Sequence, residues 1–268
     1  MADGERRMLF DIRGRRKNVV KVVYGILALL MGASLILLAG PGLFGGNSGS
    51  GGGEAAKLLE EQATRIERKL VKSPNDPGLL LGLTRARVNA GNAQSEVNPT
   101  TGEALLTIES REQFEKASAA WSEYLKATDE PAAGGAQLMT PALFSLAQTS
   151  RSYNEALDNI KAASESEQIV AEQRPSLGSL STLALYTVFT GDYKAAEKAQ
   201  KEAAKYAGSK VKREELDKQF KEAKKRAQSF QKQIAESEKA AKKAGAGAAG
   251  GAEALQNPLG LGGSSLSE

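Results

Sequence analysis

Carboxylates and amines are the groups with which this chain could do acid–base or ionic chemistry at neutral pH. It carries 32 Asp and Glu and 36 Lys and Arg, with no histidine and no cysteine. Those two absences remove thiol nucleophiles, disulfides, Cys/His zinc sites, the commonest general base and every histidine-dependent serine triad. No Walker loop or HExxH run is present in the sequence. Carboxylate-only catalysis needs two acids held together with their pKa values pushed apart. Here the acids are scattered among lysines at helical spacing, the pattern of a solvated helix surface. The expectation is a protein that is not an enzyme and holds no cofactor and no metal. The chain's formal charge is +4, and the excess of base concentrates in residues 194–243, with 16 Lys and Arg against 8 Asp and Glu, whereas 54–192, with 13 against 19, is closer to balanced. Interrupting glutamates and sparse aromatics argue against a nucleic-acid surface. A solvated helix face, or attraction to anionic lipid or an acidic partner, accounts for it better.

Those charged faces have to be carried by something, and the hydrophobic pattern divides the chain sharply. Residues 22–39 (VVYGILALLMGASLILLA) form an uncharged apolar run, long enough at 1.5 Å per residue to cross most of a bilayer core. Lys21 can snorkel, so Val19 and Val20 extend the expected span to 19–39. Arg6, Arg7, Arg13, Arg15, Arg16 and Lys17 precede it, and no charge follows until Glu54. The positive-inside rule then puts a basic tail, 1–18, in the cytoplasm and everything from 40 onward outside it. A cleaved secretory signal shares this layout. The run is longer than the usual h-region, and Leu37-Leu38-Ala39 is a poor cleavage site. A single-pass anchor in the cytoplasmic membrane is therefore expected. Within it Ala28 and Gly32, with Gly25 one turn earlier, are either a helix–helix contact or ordinary span composition. Residues 40–53 (GPGLFGGNSGSGGG) read as a flexible linker of roughly 20 Å end-to-end distance.

From Glu54 the apolar spacing is helical throughout. Leu59, Ala63, Ile66 and Leu70 make one stripe over 54–71. Asp76-Pro77 opens a helix with Leu80, Leu83 and Ala86, and Ala90-Gly91-Asn92 reads as its closing turn. An insertion, 93–110, contains a turn-like NPTTG and is either a functional loop or a neutral one. A helix over 111–128 carries Phe114, Ala117, Trp121 and Tyr124. Thr140-Pro141 reads as N-cap and N1 of the next helix, with Leu143, Phe144, Leu146 and Ala147. Ala163 and Val170 lie on its partner, which Pro175 closes. Residues 175–208 form the clearest unit. Leu180, Leu183 and Ala184 lead to a Thr190-Gly191-Asp192-Tyr193 turn, followed by Ala196 and Ala203. In 209–243, Leu216, Phe220, Ala223, Ala227, Phe230 and Ile234 recur at heptad spacing, either as a cap on the last hairpin or as a coiled coil that would form a homodimer. Residues 244–268, rich in Gly, Ala and Ser, are expected to be disordered.

The spacing of Leu183, Ala184, Gly191, Tyr193, Ala196 and Ala203 resembles the tetratricopeptide repeat (TPR). The departures are Leu180 for the usual Trp, Gln200 for the usual aromatic and Gly208 for the usual Pro, and a generic helical hairpin is the alternative. Asp76-Pro77, Ala117 and Trp121 match the same pattern in the first unit, which makes Trp121 a core residue rather than a ligand contact. The resemblance implies an all-α fold: an N-terminal transmembrane helix, then a TPR-like α-solenoid of about three helical hairpins over 54–208 with capping helices. The layout is similar to bacterial membrane-anchored TPR proteins such as the ancillary subunit of the SecYEG translocon. Residues 70–91 also resemble the TPR domain of cytochrome c maturation factors, and 10–32 the N-terminus of actinobacterial TPR membrane proteins without a defined role. By this resemblance the first helices line a concave protein-binding groove through Leu81, Arg85, Val88, Asn89, Ser181, Leu185 and Val188. That set suits an apolar peptide, with Arg85 free to pair a carboxylate. The expected function is a membrane-anchored extracytoplasmic scaffold for a protein or peptide partner, in secretion or envelope protein assembly, with a translocon subunit or chaperone as the implied partner. A self-associating structural envelope protein without a client is the alternative, as is a cytochrome c maturation-type factor.

Overall fold

Short polar residues start most of the helices, each by accepting a hydrogen bond from an otherwise unpaired backbone N–H. A computed structural model describes residues 51–97, 104–244 and 259. The expected cytoplasmic tail, the span, the linker up to residue 50 and the NPTTG turn lie outside the described residues. Eight helices are described: α1 (Gly51–Leu70), α2 (Pro77–Gln94), α3 (Ile108–Ala127), α4 (Ala133–Gln148), α5 (Tyr153–Gln173), α6 (Leu177–Thr190), α7 (Tyr193–Lys205) and α8 (Lys210–Ala244). Asp76 caps α2, with Pro77 at its first turn. Thr107 caps α3, Ser152 caps α5 and Asp192 caps α7. Ser176 and Ser179 form a reciprocal capping box on α6. Gly191, at φ 91°, closes α6 in the left-handed conformation that glycine adopts without penalty. The fold is all-α apart from a minimal antiparallel ladder. In it β1 (Glu96–Val97) pairs with β2 (Ala104–Leu105), Glu96 opposite Leu105. Among the described residues no helix is long and apolar enough to cross a membrane.

Consecutive helices pack as pairs, α2 with α3, α4 with α5 and α6 with α7. Each pair packs on the next through α3–α4, α2–α4 and α5–α6, and α8 lies on α6, α7 and the edge of α5. Alanines at the crossings, Ala117, Ala136, Ala156, Ala163 and Ala196, are fully buried and let the backbones approach. On α1, Ala63 and Ile66 pack with Leu83, Ala86 and Ala120. The heptad positions of α8 are covered within the chain. Ala223, Ala227, Phe230 and Ile234 are buried, and Phe230 meets the rings of Tyr153 and Phe189 edge-on at 6.0 and 6.1 Å. Gln231 donates to the Phe189 carbonyl at 2.7 Å. This is the cap arrangement, and a coiled-coil homodimer through that seam would have to break it.

Four expectations are corrected. Gly91 is not in a turn: α2 runs through it to Gln94, and Ser95 ends the helix by donating from both its N–H and its hydroxyl to the Gly91 carbonyl. Helix α4 begins at Ala133 and runs through Thr140-Pro141 rather than starting there. The carbonyl that loses its partner to Pro141 belongs to Gln137, an exposed residue, so water can replace the bond. The start of α4 is held from a distance: Ala132 N–H donates to Tyr124 Oη at 2.9 Å and Ala133 N–H to Gln173 Oε1 at 3.3 Å. The insertion is pinned at both ends. Leu106 enters the core, and Thr107 Oγ1 donates to the Gln94 carbonyl at 3.0 Å. At the boundaries, 51–53 belong to α1 rather than to the linker, and Leu259, expected in a disordered tail, is buried.

Gly91 and Gly135 are needed for close approach. A Cβ on Gly91 would sit 2.5 Å from the buried Phe114 ring, and one on Gly135 3.0 Å from Trp121. A Cβ on Gly82 would meet only Ile66 Cδ1, at 3.6 Å. Alanine gains about 1 kcal/mol of helix propensity over glycine, while overpacking a filled core costs about 1–3 kcal/mol. Gly91→Ala is therefore expected to lower Tm by about 3–6 °C and Gly82→Ala to leave it unchanged or raise it slightly. Thermal melts of the two variants check this, and equal shifts would contradict the packing argument.

Candidate functional site

The seven groove candidates separate by burial. On α2, Arg85 and Asn89 are exposed and Leu81 is half-buried, directed at Gly135 of α4. Val88, one residue before Asn89, is 1 % exposed and belongs to the main core. On α6, Ser181 and Leu185 are half-buried, and Val188 is fully buried in the cluster that holds Phe189 and Phe230. Val88 and Val188 are thus corrected to packing residues. Val88 turns into the core as one wall of α2, and Val188 is enclosed because α8 lies along α6. Ser181 donates its hydroxyl to the Leu177 carbonyl of its own helix at 2.5 Å. With Leu185 it lines a cleft of about 250 Å³ that α7 and α8 close with Gln200, Leu216 and Phe220.

The sequence reading missed what α4 adds. Leu138 and Phe144 are half-buried against the main core, and Phe144 stacks on Tyr186 of α6 at 4.9 Å. A start at Thr140 left Leu138 outside the helix and put Phe144 in its first turn. A second cleft, of about 510 Å³, opens between α5, α6 and α7. Leu180, Leu183 and Thr187 face it, and Lys161, Glu165, Lys198 and Glu202 are among its charged lining residues. Acids and amines alternate there, so it presents no single sign of charge to a ligand. No group of three or more acidic side chains placed to hold a metal ion occurs among the described residues.

The buried ionic groups join helices. Arg111 of α3 is 5 % exposed. It donates to Glu115 at 2.8 Å, to the Thr149 carbonyl and hydroxyl after α4, and to Glu155 of α5. Arg87 of α2 donates to Gln113 of α3 at 2.8 Å and to Glu67 of α1 at 2.5 Å. Glu60 of α1 accepts from Gln94 at 2.6 Å and Gln113 at 2.9 Å. Charges desolvated this way are held by several hydrogen bonds each, the condition under which burial is tolerated. They serve the joints between hairpins and point at no ligand.

Comparison with protein families, characterised proteins and solved structures returns no match.

One acid stands apart. Glu167 of α5 is buried, and burial pushes its carboxyl up to about 7. Its hydrogen-bond partner is Thr140, whose hydroxyl donates to the Ala136 carbonyl at 2.9 Å. The hydrogen bond between Thr140 and Glu167 favours the carboxylate and opposes the shift, and burial outweighs it. Tyr186 is also buried, and its hydroxyl is pushed upward by desolvation and then by Glu167. An acid raised in the native state gives stability that is fully present below its unfolded value near 4.5 and is lost as pH rises through about 7. Glu167→Gln keeps a hydrogen-bonding group for Thr140 and removes the titration. Relative to the variant, the wild type is expected to lose Tm from pH 5 to about 7 and to level off above it, as read by thermal melts from pH 5 to 8. Parallel curves would show that Glu167 titrates normally.

Proposed function

We propose that this chain is a membrane-anchored, extracytoplasmic protein-interaction scaffold. In this reading residues 19–39 anchor it and the helical unit is a TPR-like stack in which α2/α3, α4/α5 and α6/α7 are successive repeats, flanked by α1 and α8. Pairwise packing of each hairpin on the next supports a stack of this type. The observation that carries the functional reading lies on the first helices of the three hairpins. Leu81, Leu138, Phe144 and Leu185 remain half-buried rather than enclosed, and Arg85 makes no ion pair among the described residues. Half-exposed apolar side chains with one available guanidinium suit an apolar segment that carries a carboxylate. A secreted or membrane-resident chain at the outer face of the membrane has that character.

The test is site-specific crosslinking of the full-length protein in its own membrane. A photo-reactive residue at Asn89, exposed one helical turn from Arg85, would report the occupant. Leu81→Asp and Leu185→Asp are each expected to reduce the crosslinked product by about tenfold or more, with the helical circular dichroism spectrum retained. Undiminished crosslinking in both variants would overturn the groove.

A further inference from the structure

Helices α3 and α7 repeat one pattern of buried positions and differ in what fills it. Ala117 and Ala196 are both fully buried. One turn after Ala117 comes Trp121, whose ring packs against Gly135 of α4 and whose Nε1 donates to Ser166 Oγ of α5 at 2.9 Å. One turn after Ala196 comes Gln200, 8 % exposed, whose amide donates to Asp217 of α8. A turn further on, Tyr124 of α3 is matched by Ala203 of α7. The joint between the third hairpin and α8 thus lacks both rings that fill the joint between the first two. Beside Gln200 a cleft of about 250 Å³ stays open between α6, α7 and α8. Leu185, Leu216 and Phe220 wall it, and the buried Ala184 and Ala223 are too small to close it.

Close-packed interiors leave few voids of that size. A cavity of about 150 Å³ holds benzene, so this cleft has room for a larger aromatic group, and a leucine side chain would leave it part empty. Among the described residues no charged side chain lines it, so it offers no counter-charge to an ionic group. Its polar lining is biased towards accepting. Ser181 donates to the Leu177 carbonyl, Gln200 to Asp217 and Gln219 to Glu215. Their donors are committed outside the cleft, which leaves Ser181 Oγ and Gln200 Oε1 as acceptors.

We propose that this cleft receives one aromatic side chain, a tryptophan or tyrosine, presented by the partner segment. This rests on the peptide-binding reading above and gives that site a specificity. The ring enters beside Leu185 and Phe220, and its N–H or O–H meets the waiting acceptors, as a buried tryptophan or tyrosine requires. The partner supplies in trans the ring that Trp121 supplies in cis at the first joint. Aromatic anchors seated in pockets carry a large share of binding energy, so an apolar segment without one binds less tightly.

The probe is N-acetyl-fluorotryptophanamide, titrated with full-length protein in nanodiscs and followed by fluorine NMR line broadening. N-acetyl-leucinamide, added as competitor, is expected to bind about tenfold more weakly than the probe. Methylating the indole nitrogen removes the donor and is expected to weaken the probe about tenfold. Gln200→Trp fills the cleft from within and is expected to abolish probe binding, with Tm unchanged or raised. Leu216→Asp places a charge on the cleft wall and is expected to weaken binding about tenfold or more, which guards against a local effect of the new indole. No binding by the wild type, equal affinity for the leucine amide, or full binding by either variant with circular dichroism intact would overturn the site. Crosslinking at Asn89 reads the groove independently. Loss of both probe binding and crosslinked product in Gln200→Trp supports both readings. Probe binding without any wild-type product at Asn89 supports the cleft and overturns the groove, and product without probe binding does the reverse.

Discussion

The indole of Trp121 holds the first two hairpins together, and much of the remaining architecture follows from its being able to enter. Its ring lies where Gly135 leaves room on α4, it packs against Tyr124 at 5.1 Å, and Nε1 donates to Ser166 Oγ of α5 at 2.9 Å. One side chain thus touches three helices and satisfies its own buried N–H, as a fully buried tryptophan must. Arg111 latches the same two hairpins elsewhere along α3 through Thr149 and Glu155. An apolar wedge and a charged latch on one helix fix both the distance and the angle at which the second hairpin docks.

The second joint is built differently. Between α4/α5 and α6, Phe144 stacks on Tyr186, and Ser164 and Thr187 share a hydrogen bond of 2.8 Å. Thr140, Glu167 and Tyr186 add a polar layer in which the acid is more comfortable neutral than charged. Neutral hydroxyls and one raised carboxyl cost less to bury than an ion pair, and they leave this joint sensitive to pH. Helix α8 then closes the last hairpin, with Lys224 reaching Glu197 at 2.7 Å and lying over the Tyr193 ring. What this sequence of joints leaves half-exposed, on the first helices, is the surface on which the functional proposal rests.

Where a local code existed, it could be read without the fold. Asp76-Pro77 and Thr190-Gly191-Asp192 marked helix boundaries because an N-cap carboxylate, an N1 proline and a left-handed glycine act within a few residues of themselves. The absence of histidine and cysteine bounded the chemistry by inventory alone. The spacing of Phe114, Ala117, Trp121 and Tyr124 assigned a buried face because helical periodicity is geometric. Gly91 and Thr140-Pro141 misled for the same reason: both are locally turn-like.

Only tertiary contact decided those two sites. Gly91 is small so that Phe114 can pass, and α4 starts at Ala133 because Tyr124 and Gln173, distant in sequence, supply its missing partners. Val88 and Val188 were indistinguishable by spacing from Asn89 and Leu185, and it took the packing around each helix to bury the valines. The spacing of the α8 heptad was equally suited to a second copy, and only the packed chain shows its Phe230 against the rings of Tyr153 and Phe189. Leu259 lies in a Gly-, Ala- and Ser-rich stretch whose composition reads as disordered, and its burial shows only in the packed structure. Amino-acid order determined the helices, their caps and the excluded chemistry, because those depend on neighbours along the chain. Which residues remain available to a partner depended on neighbours through space, and only the packed structure could choose them.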